Sequence, residues 1–521
     1  MRVQRLFRLL LQLAVLSAIA ATSLSRLPSG AQPARPNFIY ILVDDLGYGD
    51  VNLNLPGTEA FRNPYLRTPN LARLARQSVV FTHHYAAAPV CSPSRAGLLT
   101  GRIPARANIN LWIDDRKDND RVFLDGDEVT IAEALKPAGY ATAIIGKWHL
   151  NGADWEQREN WSGWTGSFPN QQGFDFALVS KENPHAARDL AMNTQRNPAD
   201  FFSTHGAPMG TLPGWTSEIL TDYAIQWLRN IQHQGKPFFL YLPYDAVHER
   251  VMNPDEYNRM YQTGNPDKDA YYANVTFLDA QIGRLLDALR EMGMDENTVV
   301  FFSSDNGPEI CRVYYGAYRS YGTSFPLYGQ KRQLFEGGIR VPGMIRWNGR
   351  INPGVSAQPN STLDALPTIC ELAGIEAPKD RALDGASLAG HLLANKPIRR
   401  TKPLYWQFDP LRTDWELVGK GYDRRFEGTK PKSDPKVPQV SIRAGDYVLR
   451  GLHAGKPFAL PAEYELYDVA HDPLEKRELS KQQPALFGEL LQQLKTLHRE
   501  VHEDRLATIE RIEKKRVMRN R

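Results

Sequence analysis

A chain of 521 residues is longer than one compact hydrophobic core sustains, so two domains are expected. Hydrophobic residues at 42% and charged residues at 23% are ordinary for a soluble globular protein. The formal net charge of +4 makes no case for nucleic acid or an anionic membrane as partner, because residues 1–31 hold Arg2, Arg5, Arg8 and Arg26 and no acid, and without those four the 63 basic residues fall to 59, equal to the 59 acidic ones.

In chain order, "MRVQRLFRLL LQLAVLSAIA ATS" comes first. Its basic start, apolar run and following small residues have the pattern of a secretory signal peptide, placed over residues 1–31. The run is too short and too poorly flanked for a membrane span, so no stable span is expected once it is cleaved. An uncleaved anchor is the weaker alternative, and no cysteine near its end suggests a lipoprotein. The mature chain is expected to be exported: periplasmic or extracellular in a bacterium, lysosomal or secreted in a eukaryote.

From residue 35 to about 398, apolar runs of strand length alternate with amphipathic stretches. The clearest strands are "NFIYILV", "ATAIIG", "PFFLYLPY" and "NTVVFFSS"; the clearest helices are "TPNLARLARQS", "TIAEALKPAG", "TSEILTDYAIQWLRNIQ" and "DAQIGRLLDALREMG". This alternation predicts an α/β domain with a large, mostly parallel sheet sandwiched by helices. Over 399–521 the pattern changes. "KPLYWQF", "VSIRAGDYVLRG" and "YELYDVAHDP" read as a smaller antiparallel sheet, and "ALFGELLQQLKTLHREVHEDRLATIERIEKK" as a helix packed against it. The basic end "EKKRVMRNR" reads as a frayed, solvated tail. Of the three cysteines, Cys370 lies in the helical apolar pattern of a core residue, Cys311 follows a loop signal, and at most one disulfide is possible.

Polar residues cluster where the strands stop. "NFIYILV" runs into Asp44 and Asp45, "TVVFFSS" into Asp305 and Asn306, "ATAIIG" into Lys147 and His149, and "PFFLYLPYDAV" into His248. Ligands of open α/β sheets bind beyond the carboxyl ends of strands, so these ends are expected to converge on one site. Asp44, Asp45, Asp305 and Asn306 offer only oxygen ligands, which suits Ca²⁺ or Mg²⁺ better than Zn²⁺. Either pair alone is also an ordinary turn after a strand.

One further stretch, "CSPSRAGLLTGR", begins at Cys91. Ser92 and Pro93 have the character of a cap and first position of a helix that Gly101 ends. The positive helix end would then face residue 91 and favour an anion such as phosphate or sulfate, with Arg95 one turn in. A thiol nucleophile with a depressed pKa and a passive cap residue are both open at this point.

This stretch resembles the signature of the type I sulfatases, the formylglycine-dependent branch of the alkaline phosphatase superfamily. "NFIYILVDDLGYGD" and "FFSSDNG" are similar to the family's metal segments. "GKWHL", "PFFLYLPYDAVH" and "GQKRQLFEGGIRVP" are similar to segments carrying its lysines and histidines, and "ELYDVAHDPLEKREL" to its C-terminal segment. The resemblance implies that a formylglycine-generating or equivalent maturase oxidises Cys91 to Cα-formylglycine. It implies that Asp44, Asp45, residue 91, Asp305 and Asn306 bind one Ca²⁺. A hydroxyl of the hydrated aldehyde would attack sulfur with help from Asp305. His248 would protonate the leaving alcohol, and Lys331 would hold the sulfate oxygens. The second hydroxyl, deprotonated through His149, would expel sulfate from the covalent sulfo-enzyme, with Arg95 and Lys147 stabilising charge. Asp245 stands where many members carry a neutral residue, and could tune His248 or touch substrate or be a plain loop carboxylate.

The expected substrate is a sulfated carbohydrate, poly- or oligosaccharide. Trp155, Trp161 and Trp164 after His149 could stack on sugar rings, and Arg312, Tyr315 and Arg319, which follow the metal pair, could line the substrate pocket, with Arg319 touching a second anionic group. Two alternatives are a formylglycine-dependent phosphonate or phosphate-ester hydrolase, and a non-catalytic carbohydrate-binding homologue if residue 91 stays unmodified. Asn160, Asn274 and Asn360 sit in N-glycosylation triplets, which belong on surface loops if used.

Overall fold

The computed structural model describes residues 35–61, 63–113, 122–151, 168–180, 200–202, 208–212, 214–248, 251–309, 319–408, 438–452 and 458–519. Pro36–Arg521 forms one compact unit. Its main sheet has ten strands in the order Gly354–Ser356, Val79–Phe81, Gly343–Arg346, Thr298–Ser304, Asn37–Val43, Phe238–Tyr244, Ala141–Lys147, Phe176–Ser180, Asp200–Phe202 and Pro208–Thr211. The five from Thr298–Ser304 to Phe176–Ser180 are parallel to one another. This is the predicted α/β architecture.

Asn37–Val43 is buried at every residue, as expected of a central strand covered on both faces. Its period of two divides its side chains between two cores. Ile39, Ile41 and Val43 pack with Leu220, Ala224 and Leu228 of the Thr216–Gln232 helix and with Leu278, Ile282 and Leu285 of the Pro266–Glu291 helix. Phe38, Tyr40 and Leu42 pack on the other face with Leu98 and Leu99, Ile131, and Leu366 and Ile369. The strand is in register from Asn37↔Thr298 to Val43↔Ser304 on one side and ends at Val43↔Tyr244 on the other. The carboxyl ends of these three strands are therefore level.

One helix is longer than its periodicity suggests. It starts at Pro266, with the Asn265 side chain accepting from the Asp267 and Lys268 N–H groups at 3.1 and 3.2 Å. Its first half, including Tyr271, Ala273, Val275 and Thr276, is buried on most sides and so lacks a polar stripe. Asn274 lies here, 5% exposed, with its Nδ2 donating to the Met252 carbonyl at 2.8 Å. Asn360 is fully buried in a short strand. Neither triplet is a surface loop, and Asn160 lies outside the described residues. Cys370 is a buried core residue, as expected, and Cys311 lies outside the described residues.

The second sheet is antiparallel and four-stranded: Leu404–Gln407, Pro438–Ala444, Tyr447–Leu452 and Tyr464–Asp468. The Pro484–Arg519 helix closes it with Leu490, Leu494, Leu497 and Val501, a stripe at helical spacing. The same core takes in Ala87, Ile103 and Ala105 from around the Cys91 helix. The basic end as far as Arg519 is part of this long helix rather than a frayed tail, and Lys515 pairs with Asp125 and Asp127 at 2.9 and 2.8 Å. No helix among the described residues is long and apolar enough to cross a membrane.

Arg106 fastens the long helix to the segment after the signature. It grips Asp384 through Nε and Nη2, each at 2.9 Å, and reaches Asp504 at 2.7 Å. Arg106→Ala would strand the buried Asp384 carboxylate and should cost about 3–5 kcal/mol in urea unfolding; a loss under ~1 kcal/mol would show the pair to be solvent-screened.

Candidate active site

Four adjacent strands deliver the polar residues the sequence singles out. Asp44 and Asp45 follow Val43, Asp305 and Asn306 follow Ser304, Lys147 is the last residue of its strand, and His248 lies four residues beyond Tyr244. Asp44 extends the strand pairing by donating its N–H to Ala246 at 3.0 Å and accepting from Val247 at 2.8 Å. That seats the 245–248 turn beside the acidic pair. Asp45 (φ 61°), His149 (φ 55°) and Arg332 (φ 70°) hold left-handed backbone conformations, which non-glycine residues adopt at a cost and which cluster at functional sites.

The side chains interlock. Arg95, fully buried, donates through Nε and Nη2 to Asp305 Oδ2 at 3.1 and 2.8 Å and through Nη1 to the Lys147 carbonyl at 2.9 Å, with Asp44 Oδ2 at 3.4 Å. Lys147 Nζ donates to Asp44 Oδ2 and Lys331 Nζ to Asp45 Oδ2, both at 2.7 Å. Asn306 Nδ2 donates to Asp45 Oδ1 at 2.7 Å. His248 sits at the edge, its side chain 12% exposed and its Nε2 3.6 Å from Asp45 Oδ2. His149 Nε2 lies 3.1 Å from the Ile113 carbonyl, an acceptor only, so Nε2 carries the proton and Nδ1 the lone pair.

Burial would raise Asp44, but the charges of Lys147, His248 and Arg95 hold its carboxyl well below the usual range. Asp305 goes the other way: burial and the neighbouring Asp44 push it up to about 6 in spite of Arg95. Burial, with the Lys147 and Arg95 charges beside it, keeps His149 well below its ordinary value and so neutral.

Three carboxylates thus share a buried pocket. Asn306 Oδ1 points into the same buried region with no hydrogen-bond partner. Ligand atoms of Asp44, Asp45, Cys91 and His248 lie within 4.8 Å of one another. An orphaned amide oxygen beside crowded carboxylates fits a hard cation. Asp305 borders the same pocket with both oxygens engaged, Oδ1 accepting from the Asp45 N–H at 3.2 Å and Oδ2 from Arg95.

Cys91 opens a ten-residue helix, Cys91–Thr100, that Gly101 ends with a left-handed φ of 65°. Ser92 is not its cap: Val90 precedes the helix, and Ser92 Oγ accepts from the Ile113 N–H at 3.0 Å instead. Burial and the adjacent Asp44 raise the Cys91 thiol well above its ordinary value, and its Sγ donates to Asp44 Oδ1 at 3.3 Å. The helix end does not win against that carboxylate, so residue 91 is a poor thiolate.

A sequence model of the Sulfatase family matches residues 36–375. The chain belongs to the sulfatase family. It is 31% identical over 484 residues to bovine (Bos taurus) arylsulfatase A, covering 90% of this chain and 88% of that one. It is 32% identical to mouse (Mus musculus) N-acetylgalactosamine-6-sulfatase over 74% of this chain and 71% of that one. Among solved structures, Ps i-CgsB in complex with k-i-k-neocarrahexaose superposes with a TM-score of 0.70 at 25% identity, covering 89% of this chain and 93% of that one. The sulfatase is accordingly a sulfuric-ester hydrolase with the family's fold.

Of the residues expected to meet substrate, Asp245 lies beside the site, both its oxygens accepting from Ser180 Oγ at 3.0 and 2.8 Å. Arg319 faces Asp267 at 3.4 Å. Trp155, Trp161, Trp164, Arg312 and Tyr315 lie outside the described residues. Sequence reading missed four contributors. Asp50 accepts from the Gly47 N–H, the Tyr271 hydroxyl and the Thr323 N–H at 2.9, 2.9 and 3.0 Å, fixing the loop after Asp45. The Arg332 guanidinium lies 5.9 Å from the Trp112 ring centre and pairs with buried Glu309. The close "DDLGYGD" spacing was the available signal for Asp50; Trp112 and Glu309 carried none. Asp50→Ala leaves the Gly47, Tyr271 and Thr323 donors unmatched and should lower unfolding stability by at least ~2 kcal/mol, measured in denaturant.

Proposed function

We propose that this sulfatase is an exported enzyme that removes sulfate from a sulfated carbohydrate, using Cα-formylglycine formed from Cys91 and one Ca²⁺. The observation that carries the reading is the setting of residue 91. It sits buried at a helix N-terminus, against Asp44, in a pocket ringed by Arg95, Lys147 and Lys331. The carbohydrate is supported by the kinship to N-acetylgalactosamine-6-sulfatase and by the likeness to a structure holding k-i-k-neocarrahexaose. Export is supported by the signal-like first segment.

Asp44, Asp45, Asp305 and Asn306, with residue 91, are the residues that would hold the cation. When bound, it supplies positive charge to the sulfate oxygens and the nucleophilic oxygen. The hydrated aldehyde supplies one hydroxyl for attack on sulfur and a second for release of sulfate. The chain's own groups do the rest. Lys331 and Lys147, held by carboxylates at the floor, present ammonium donors to an anionic ester, and fixed donors of this kind favour a charged transition state. Arg95 has both faces of its fork engaged, so it orients Asp305 and the Lys147 backbone as rigidly as it stabilises charge. His149, with its proton fixed on Nε2 by Ile113, accepts a proton at Nδ1. His248, at the exposed edge, delivers a proton to the departing alcohol.

On a panel of sulfated mono- and oligosaccharides beside aryl, steroid and phosphate-diester substrates, the sugars should show the highest kcat/KM. Cys91→Ser should fold normally with turnover lost, and the peptide mass across residue 91 should show the aldehyde. Activity confined to aryl or steroid sulfates would overturn the carbohydrate assignment, and normal activity in Cys91→Ser would overturn the mechanism. His248→Ala should cut kcat by about 10²–10⁴ on sugar sulfates, whose leaving alcohol needs a proton, and far less on a nitrophenyl sulfate. Equal losses on both would remove His248 from that role.

A further inference from the structure

Two aromatic side chains stand at the surface on the active-site end of the main sheet. Tyr65 is 66% exposed and Phe325 58%, and among the described residues no other Phe, Tyr or Trp is so exposed. Both belong to loops around the 46–50 segment that follows Asp45. Gly49 donates its N–H to the Thr323 carbonyl at 2.9 Å, and a Cβ on Gly49 would lie 2.8 Å from the Phe325 carbonyl oxygen. The Gly49 carbonyl accepts from Asn63 Nδ2 at 3.2 Å, and Asn63 Oδ1 accepts from the Tyr65 N–H at 3.2 Å. The start of the Pro266–Glu291 helix joins the two loops from the other side. Lys268 lies over Tyr65, with Nζ 5.8 Å from the ring centre, and Asn265 Nδ2 donates to the Tyr321 hydroxyl at 2.8 Å. These contacts close into a ring, so the two aromatics belong to one patch.

Cations on this patch are held against rings. Lys268 Nζ also lies 5.3 Å from the Tyr272 ring centre, and the exposed Arg67 has its guanidinium 5.8 Å from the Tyr261 ring centre. The acids beside Lys268 on its helix are engaged elsewhere. Asp267 faces Arg319 at 3.4 Å, and Asp269 accepts from the Thr263 N–H and hydroxyl at 2.9 and 2.7 Å. A long cationic side chain laid on a ring keeps its charge and turns its head to solvent or ligand. The patch is also fixed to the site, because Asp50 holds the loop after Asp45 and accepts from the Thr323 N–H at 3.0 Å.

We propose that Tyr65 and Phe325, with Lys268 and Arg67, form an outer subsite that holds further units of a sulfated carbohydrate chain while one of its sulfate esters occupies the pocket. The inference rests on the carbohydrate reading above and extends it from a sugar sulfate to a chain. The C–H faces of sugar rings are apolar and lie on exposed aromatic rings, while sulfate groups pair with cations beside them. Charge complementarity favours a chain that carries sulfate along its length over a neutral one. Contacts this far from the bond that breaks are the same in ground and transition states, so they act on KM and leave kcat alone.

The test takes the sugar sulfate with the highest kcat/KM and compares it as a disaccharide and as a longer oligosaccharide of the same repeat. The parent enzyme should show a KM at least about fivefold lower on the longer chain. Tyr65→Ser combined with Phe325→Ser, both at exposed positions, should raise that KM to the disaccharide's value, with kcat and the disaccharide kinetics unchanged. Lys268→Gln should raise it about two- to threefold at low salt and have no effect at high salt, where exposed charges are screened. Equal KM for the two lengths in the parent, or a long-chain KM unmoved by the double substitution, overturns the outer subsite and leaves the carbohydrate assignment standing. Absence of turnover on every sugar sulfate overturns that assignment, and the subsite with it.

Discussion

Everything at the active site hangs on Arg95. Its guanidinium is fully buried and holds Asp305 from one strand end, the carbonyl of Lys147 from another, and approaches Asp44 from a third. A buried arginine is tolerated only when its charge and its donors are matched, and here the matching groups are supplied by three different strands. Arg95 belongs to the helix that carries residue 91 at its first position. One ion-pair network therefore sets the nucleophile position, the acidic pocket and the Lys147 strand relative to one another.

Around that network the loops are fastened by backbone contacts that leave no room for side chains. A Cβ on Gly307 would lie 2.0 Å from the Gly337 carbonyl oxygen, and the Gly307 N–H donates to Gly338 at 2.9 Å while Lys331 N–H donates to Pro308 at 3.1 Å. The loop bearing Lys331 is thus laid directly on the loop bearing Asp305 and Asn306. The 245–248 turn is tied to Asp44 in the same way. Preorganisation of this kind lets fixed charges act on a transition state without rearranging first.

The smaller sheet contributes from behind. Arg450 grips Glu475 through Nε and Nη2 at 2.5 and 2.7 Å, and Glu475 accepts from the Glu336 N–H at 2.9 Å, five residues from Lys331. Tyr85 donates to the Glu336 carboxylate at 2.6 Å, and Trp406 donates to the Ala86 carbonyl at 2.8 Å. These contacts run between the C-terminal segment and the chain leading into residue 91. Arg443 joins the same seam, with Nη1 3.7 Å from the Glu336 carboxylate.

The sequence by itself determined the four strands that carry the site, their order of appearance and the residues at their ends. Period-two apolar runs and the residues at which they stop are local properties, so Asp44, Lys147, His248 and Asp305 could be named before any contact was known. Gly101 as the helix stop was equally local, because only a left-handed terminus was needed. Tertiary structure decided the rest. Ser92 bonds Ile113 rather than its own helix, the Pro266 helix extends through a stretch whose burial on most sides erased its polar stripe, and Cys91 meets a carboxylate from a strand 47 residues earlier that outweighs the helix end. The partners of Arg443, Asp50 and Trp112 come from distant parts of the chain, and no spacing in a one-dimensional pattern encodes which charges will be brought together or left unmatched.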